Sequence, residues 1–149
     1  MDKPFVLLAE DNEGTCTLIK ALLQPEFQVD VAGDGAETIE KLKGRQYAVI
    51  LLDLLMPVTD GYAVLDFLKR EHAELLPRVI VMTASISTRA MESIREYAIG
   101  CVITKPFEIE EVLATVREMT GIEPRPPKGT LLSSGMLLLL ADFLRQRWM

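Results

Sequence analysis

The stretch that most constrains this chain is Tyr47–Gly61, which reads YAVILLDLLMPVTDG. It runs apolar through Val49, Ile50, Leu51 and Leu52 and then reaches a carboxylate at Asp53. Two more apolar residues, Met56-Pro57 and the turn pair Asp60-Gly61 follow. A short apolar run ended by turn chemistry predicts a strand buried on both faces, with its charge at the point where the strand emerges. In open parallel sheets that edge is where ligands and chemistry collect. Aspartate at a strand end more commonly begins a loop or caps a helix. The meaning of Asp53 therefore depends on what the rest of the chain brings to the same edge.

Four further strands are readable. Phe5–Ala9 is a continuous apolar run that stops at Glu10-Asp11-Asn12, and a helix follows with Leu18, Ile19, Leu22 and Leu23 on one face until Pro25. Phe27–Ala32 alternates apolar and polar residues, the pattern of an edge strand with one wet face. Ala36–Lys43 reads as a short helix closed by Gly44, and a helix from Gly61 to about Glu74 breaks before Pro77. Arg78–Thr83 is a fourth strand. A helix over Ser87–Tyr97 follows, capped by Ser87, with Ala90, Met91, Ile94 and Ala98 facing inward. Cys101–Thr104 is a fifth, very short strand, followed by Lys105-Pro106-Phe107 and an amphipathic helix through Ile109, Val112, Leu113, Val116 and Met119. Five strand–helix repeats with short connections predict a doubly wound α/β domain: a parallel sheet with helices on both faces and right-handed crossovers.

Length and charge narrow the class. A chain of 149 residues suits one domain with a short appendage. Net charge is −6. Residues 121–149 hold four cations against two anions, a net +2, which leaves −8 for the first 120. So acidic a body argues against a non-specific nucleic-acid surface, and no direct DNA binding is expected. Cys16 and Cys101 form no CxxC, there is no signal-peptide pattern, and no apolar run reaches the ~20 residues of a membrane span. The expectation is a cytoplasmic protein with reduced thiols.

Polar groups close four of the five strands: Glu10-Asp11, Asp53, Thr83 and Lys105. If the first strand is central and the third lies beside it, Glu10, Asp11 and Asp53 crowd one edge. They repel unless a cation intervenes. A hard divalent ion with oxygen ligands answers this, and Mg²⁺ characteristically takes one or two carboxylates plus water and phosphate oxygens. A nucleophilic carboxylate, a metal, a hydroxyl and a lysine together suit phosphoryl transfer onto aspartate. The single histidine, His72, sits in a polar helix end (KREHAE) and reads as solvated. GxGxxG after the first strand is absent, which excludes a dinucleotide loop.

At these residues the sequence resembles the receiver domain of two-component response regulators, of the chemotaxis-regulator kind. The resemblance rests on LLAEDN at 7–12, VAGDGAE at 31–37, LLDLLMPVTDG at 51–61, VIVMTAS at 79–85 and TKPFEIEEV at 104–112. Asp53 to Thr83 is 30 residues and Thr83 to Lys105 is 22. It implies a flavodoxin-like sheet in the order 2-1-3-4-5 and a set of roles. Asp53 is the implied phosphoacceptor. Glu10, Asp11, Asp53 and the backbone carbonyl of Leu55 are the implied Mg²⁺ ligands. Thr83 binds a phosphoryl oxygen, and Lys105 pairs with Asp53 or its phosphate. The bond before Pro106 is commonly cis in this family. The implied donor is a histidine kinase or phosphotransfer protein, and the implied output is an altered interaction with a downstream protein around the fourth helix, fifth strand and fifth helix. The module promotes its own phosphorylation and dephosphorylation and is not a turnover enzyme.

The chain departs from the family pattern at Val102, where an aromatic residue usually stands three positions before the lysine. Leu55 and Ser85 occupy positions that tune phosphoryl lifetime in the family. The domain organisation expected is a receiver over 1–120, a proline-rich linker over 121–132 and an amphipathic helix over 133–149 with Leu137, Leu140, Leu144 and Trp148 on one stripe. That helix suits self-packing or a partner or homodimer contact ahead of a membrane surface; the fourth and fifth helices offer a second homodimer face. The alternative reading is a phosphorylation-independent interaction module acting through the C-terminal helix. An aspartate-nucleophile phosphatase is disfavoured because no second acid lies two residues after Asp53.

Overall fold

In a computed structural model, described over residues 3–56, 58–84 and 87–121, five parallel strands form one sheet in the order β2-β1-β3-β4-β5. The strands are β1 (Phe5–Ala9), β2 (Gln28–Ala32), β3 (Val49–Asp53), β4 (Val79–Thr83) and β5 (Cys101–Thr104). The helices are α1 (Glu13–Leu23), α2 (Gly35–Gly44), α3 (Gly61–Glu71), α4 (Thr88–Arg95) and α5 (Ile109–Thr120). The expected linker over 121–132 beyond its first residue, the C-terminal helix over 133–149 and Ser85 lie outside the described residues.

The three central strands are apolar up to the Asp53 and Thr83 that end β3 and β4, because both of their faces are covered. On one face Leu7, Ile50, Leu52, Val79 and Val81 meet Val64, Leu65 and Leu68 of α3. On the other, Val6, Leu8, Leu51, Ile80 and Met82 meet Ile19 and Leu23 of α1 and Val112 and Val116 of α5. Arg117 Nε donates to Glu26 Oε2 at 2.8 Å, which ties α5 to the turn after α1. β2 lies at the edge that its alternation predicts.

Three details differ from the sequence reading. Leu18 lies 55% exposed, because α1 turns only a narrow stripe centred on Ile19 and Leu23 toward the sheet. α3 ends at Glu71, and a separate 3-10 helix over Ala73–Arg78 carries Pro77. Its tighter hydrogen-bonding suits a short segment that must accommodate a proline. α4 stops at Arg95, so Ala98 is exposed beyond its end, while Ser87 does cap the helix by accepting from the Ala90 amide at 3.2 Å.

Candidate functional site

The parallel register decides which groups meet. Ala9 pairs with Leu52 and Thr83 with Thr104, so Glu10 and Asp53 emerge side by side, and Lys105 follows directly beyond the partner of Thr83. Glu10 is 2% exposed and Asp53 5%, whereas Asp11 lies open to solvent.

Glu10 is held at both ends. Its Oε1 accepts from the Asn12 amide at 3.2 Å, and its backbone carbonyl accepts from the Cys16 thiol at 3.2 Å. Asn12 also caps α1, accepting from the Thr15 amide at 2.9 Å, so the first helix is anchored to the acidic loop. Asp53 Oδ1 accepts from the Leu55 amide at 3.0 Å. Lys105 Nζ bridges the two buried acids, at 2.9 Å from Glu10 Oε2 and 3.2 Å from Asp53 Oδ2. The Lys105–Pro106 bond is cis.

The electrostatics are those of two buried acids sharing one base. Burial pushes the Glu10 carboxyl above its ordinary range; the Lys105 hydrogen bond pulls it down, and Asp53 pushes it up again. Burial disfavours the Lys105 ammonium, but the Glu10 hydrogen bond and the Asp53 charge outweigh it, so its pKa is raised. The Cys16 thiol is pushed up by burial and by the charges of Glu10, Asp11 and Glu13. It is therefore a protonated donor and a poor nucleophile.

Carboxylate oxygens of Glu10, Asp11 and Asp53 converge within 4.8 Å of one another. Mg²⁺ takes oxygen ligands, so this all-oxygen donor set fits such an ion in its chemistry. Thr83 is buried at the end of β4, and its carbonyl accepts from the Lys105 amide at 2.8 Å. All of the sequence-derived site residues thus stand at one edge of the sheet.

Over this edge lies the β3–α3 loop. Leu55 is 66% exposed and Val58 90%. Val58 has φ 66°, a left-handed conformation that is an outlier for a β-branched residue and stores roughly 1–3 kcal/mol of strain. The loop returns through Asp60, which caps α3 by accepting from the Ala63 amide at 3.0 Å, and Gly61, whose amide donates to the Leu54 carbonyl at 3.0 Å. Sequence reasoning read Asp60-Gly61 only as a turn and overlooked Asn12 and Cys16 as supports of Glu10. An Asn three residues before Thr15, directly ahead of a helix, is a legible capping signal. Val58 gave no signal at all. Val102 sits half-buried on β5 beside the core that α3 covers. Instead of an aromatic there, Tyr97 beyond α4 donates its hydroxyl to Asp66 on α3.

Comparisons with known proteins agree with this geometry. The family model described as the response regulator receiver domain matches residues 6–117. The response regulator ArlR of Staphylococcus saprophyticus is 31% identical over 121 residues, covering 80% of this chain and 54% of that protein. The chain thus spans about half the length of the curated relatives it matches. The receiver domain of the Francisella response regulator 1452 superposes with a TM-score of 0.72 at 29% identity, over 80% of this chain and 98% of that one. The receiver domain of the sensor histidine kinase PA1611 of Pseudomonas aeruginosa, solved with magnesium coordinated in its active-site cleft, gives 0.72 at 25% identity, over 80% and 99%.

Proposed function

The chain belongs to the response regulator receiver domain family, and on that premise we propose that it is a phosphorylation switch that accepts a phosphoryl group on Asp53. The observation that carries this reading is the Asp53 carboxylate itself: buried, held by the Leu55 amide and the Lys105 ammonium, and flanked by Glu10 and Asp11. The donor in this reading is a phosphohistidine of a histidine kinase or phosphotransfer protein.

An Asp53 oxygen forms the new bond to phosphorus as the donor's phosphorus–nitrogen bond breaks. The electron pair and a proton remain with the leaving imidazole. The Leu55 amide and Lys105 keep the carboxylate oriented for in-line attack, which is where most of the acceleration of phosphoryl transfer resides. Mg²⁺ held by Glu10, Asp11, Asp53 and the Leu55 carbonyl would supply neutralisation of the phosphoryl charge. Lys105 then turns from Asp53 to a phosphoryl oxygen, and the Thr83 hydroxyl donates to another. The added charge biases the surface of α4, β5 and α5 toward a downstream protein or a second copy.

Incubation with acetyl phosphate and Mg²⁺, followed by intact mass, tests this. The expected result is gain of one phosphoryl group, lost on chelation and in Asp53→Ala. Absence of modification in the wild-type chain would leave the phosphorylation-independent interaction module, and sustained release of phosphate would indicate a phosphatase. The Leu55 side chain is 66% exposed two residues past Asp53, and in this reading it screens the acyl phosphate from the attacking water. Leu55→Asn is expected to shorten the phosphorylated half-life severalfold, measured as phosphate loss after removal of the donor; an unchanged half-life would refute the screening role.

A further inference from the structure

The turn between β2 and α2 supplies none of the acidic groups, yet one glycine ties it to the loop that returns from Asp53. The Gly35 amide donates to the Thr59 carbonyl at 2.8 Å, so the start of α2 touches the far limb of the β3–α3 loop. A Cβ at residue 35 would lie 2.3 Å from the Thr59 carbonyl oxygen and 2.8 Å from its Cγ2. The nearest atom belongs to the backbone, so no change of rotamer makes room. Only glycine permits this approach.

Both sides of the contact are braced. On the α2 side, Asp34 accepts from the Glu37 amide at 2.8 Å, and Glu37 accepts from the Gly33 amide at 3.0 Å. The buried Thr38 hydroxyl donates to the Asp34 carbonyl at 2.7 Å. These bonds fix the turn that carries Gly35. On the loop side, Thr59 leads through Asp60 to Gly61, whose amide is bonded to the Leu54 carbonyl. Leu54 joins Asp53 to Leu55, and the Leu55 amide holds Asp53 Oδ1. The grip on Thr59 therefore connects to the Asp53 carboxylate through two further hydrogen bonds.

Val58 shows why a grip is needed. Its left-handed backbone is costly for a β-branched residue, and such a conformation persists only where the surroundings impose it. Its own side chain is 90% exposed and packs too little to impose anything. The next residue in the chain is the one that Gly35 holds.

We propose that Gly35 is a positioning residue for the metal: it pins Thr59, keeps Val58 left-handed, and so sets the Leu54–Leu55 backbone against Asp53. The inference rests on the Mg²⁺ role proposed above for Asp53 and the Leu55 carbonyl. It makes a turn that donates no ligand the outer support of that site.

Calorimetric titration of the full chain with Mg²⁺ alone, without a phosphodonor, tests this. Gly35→Ala is expected to weaken Mg²⁺ binding about tenfold or more, the range for losing an outer contact that orients ligands. Gly33→Ala is the control from the same turn. A Cβ there meets only Glu37 Oε2, at 3.8 Å, and the affinity is expected to be unchanged. Adding Val58→Gly to Gly35→Ala is expected to restore part of the affinity, because glycine takes the left-handed conformation without strain. Should Gly35→Ala alone fail to fold, the double variant is set against Val58→Gly: weaker binding supports the grip, and equal binding overturns it. A role in folding alone would lower the melting temperature of Gly35→Ala and leave its Mg²⁺ affinity at the wild-type value. That result, or a double variant that binds no better than Gly35→Ala, overturns the inference alone. A wild-type chain that takes up no Mg²⁺ overturns the reading of the site and this inference with it.

Discussion

Lys105→Met is expected to abolish transfer from acetyl phosphate within the assay limit and to destabilise the metal-free domain by about 3 kcal/mol at neutral pH, the scale of removing one partner from a buried ion pair. The reason is geometric. One ammonium, 2.9 Å from Glu10 and 3.2 Å from Asp53, is the only protein cation in contact with two acids that are almost fully buried, among the described residues. The pH dependence gives the sign. In the wild-type fold the Lys105 pKa is raised, so its contribution is fully present below the amine's ordinary 10.5 and is lost as pH climbs through the raised value. The variant lacks that alkaline limb. Its Glu10 carboxyl, already raised by burial and now without the lysine, favours the protonated form in the fold more strongly. Stability of the variant should therefore recover as pH falls through that raised value toward 4.5, the carboxyl's ordinary value. Urea melts at several pH values measure this. A variant as stable as wild type at neutral pH and above would show that the lysine is not the counter-ion.

Gly61→Ala is the second large effect, and it comes from the backbone. A Cβ at residue 61 would stand 2.6 Å from the Asp53 carbonyl oxygen and 2.7 Å from the Leu54 Cα. Neither atom belongs to a flexible side chain, so the β3–α3 loop has to move. The expected cost is roughly 1–3 kcal/mol. Displacing the Asp53 backbone by even a fraction of an ångström should also slow phosphorylation, in the direction of the ~10²-fold that a 1 Å misplacement costs. Gly44→Ala is the matched control. A Cβ there meets nothing within 4 Å, and stability is expected to hold or rise by up to about 1 kcal/mol. Thermal melts and phosphorylation rates of the pair check both expectations.

The strands themselves and the polar residue that ends each were legible because each rests on a local pattern, whereas the strand order that brings Glu10, Asp11, Asp53 and Lys105 together came from the family resemblance. Apolar runs such as VILLD mark strands covered on both faces, and the polar residue that ends each run marks the sheet edge where it emerges. The alternation of residues 28–32 placed β2 at the rim for the same reason. What escaped depends on contacts between distant residues. Tyr97 and Asp66 are 31 positions apart, and nothing near either one announces the bond between them. Leu18 matched the periodicity of α1, yet the sheet covers too narrow an arc to reach it. Val58 contradicts its own backbone preference, so propensity points away from the conformation it adopts. No CxxC spacing marks Cys16, and only the fold brings its thiol 3.2 Å from the Glu10 carbonyl.

The in-register parallel pairing has a consequence for which length changes this chain can tolerate. Side chains alternate faces along a strand, so deleting one residue within β1 or β3 would turn Glu10 or Asp53 away from its neighbours while the core positions behind it reversed faces. Chain length inside those strands is thus fixed to the residue. The connections at the opposite end of the sheet face no such constraint. Gly44–Gln46 is exposed, lies far from the acidic edge, and leads into β3 from behind. Lineages of such domains should accumulate insertions there and almost none between Val49 and Asp53, which makes the 44–46 turn the natural place to graft a reporter without disturbing the acidic edge.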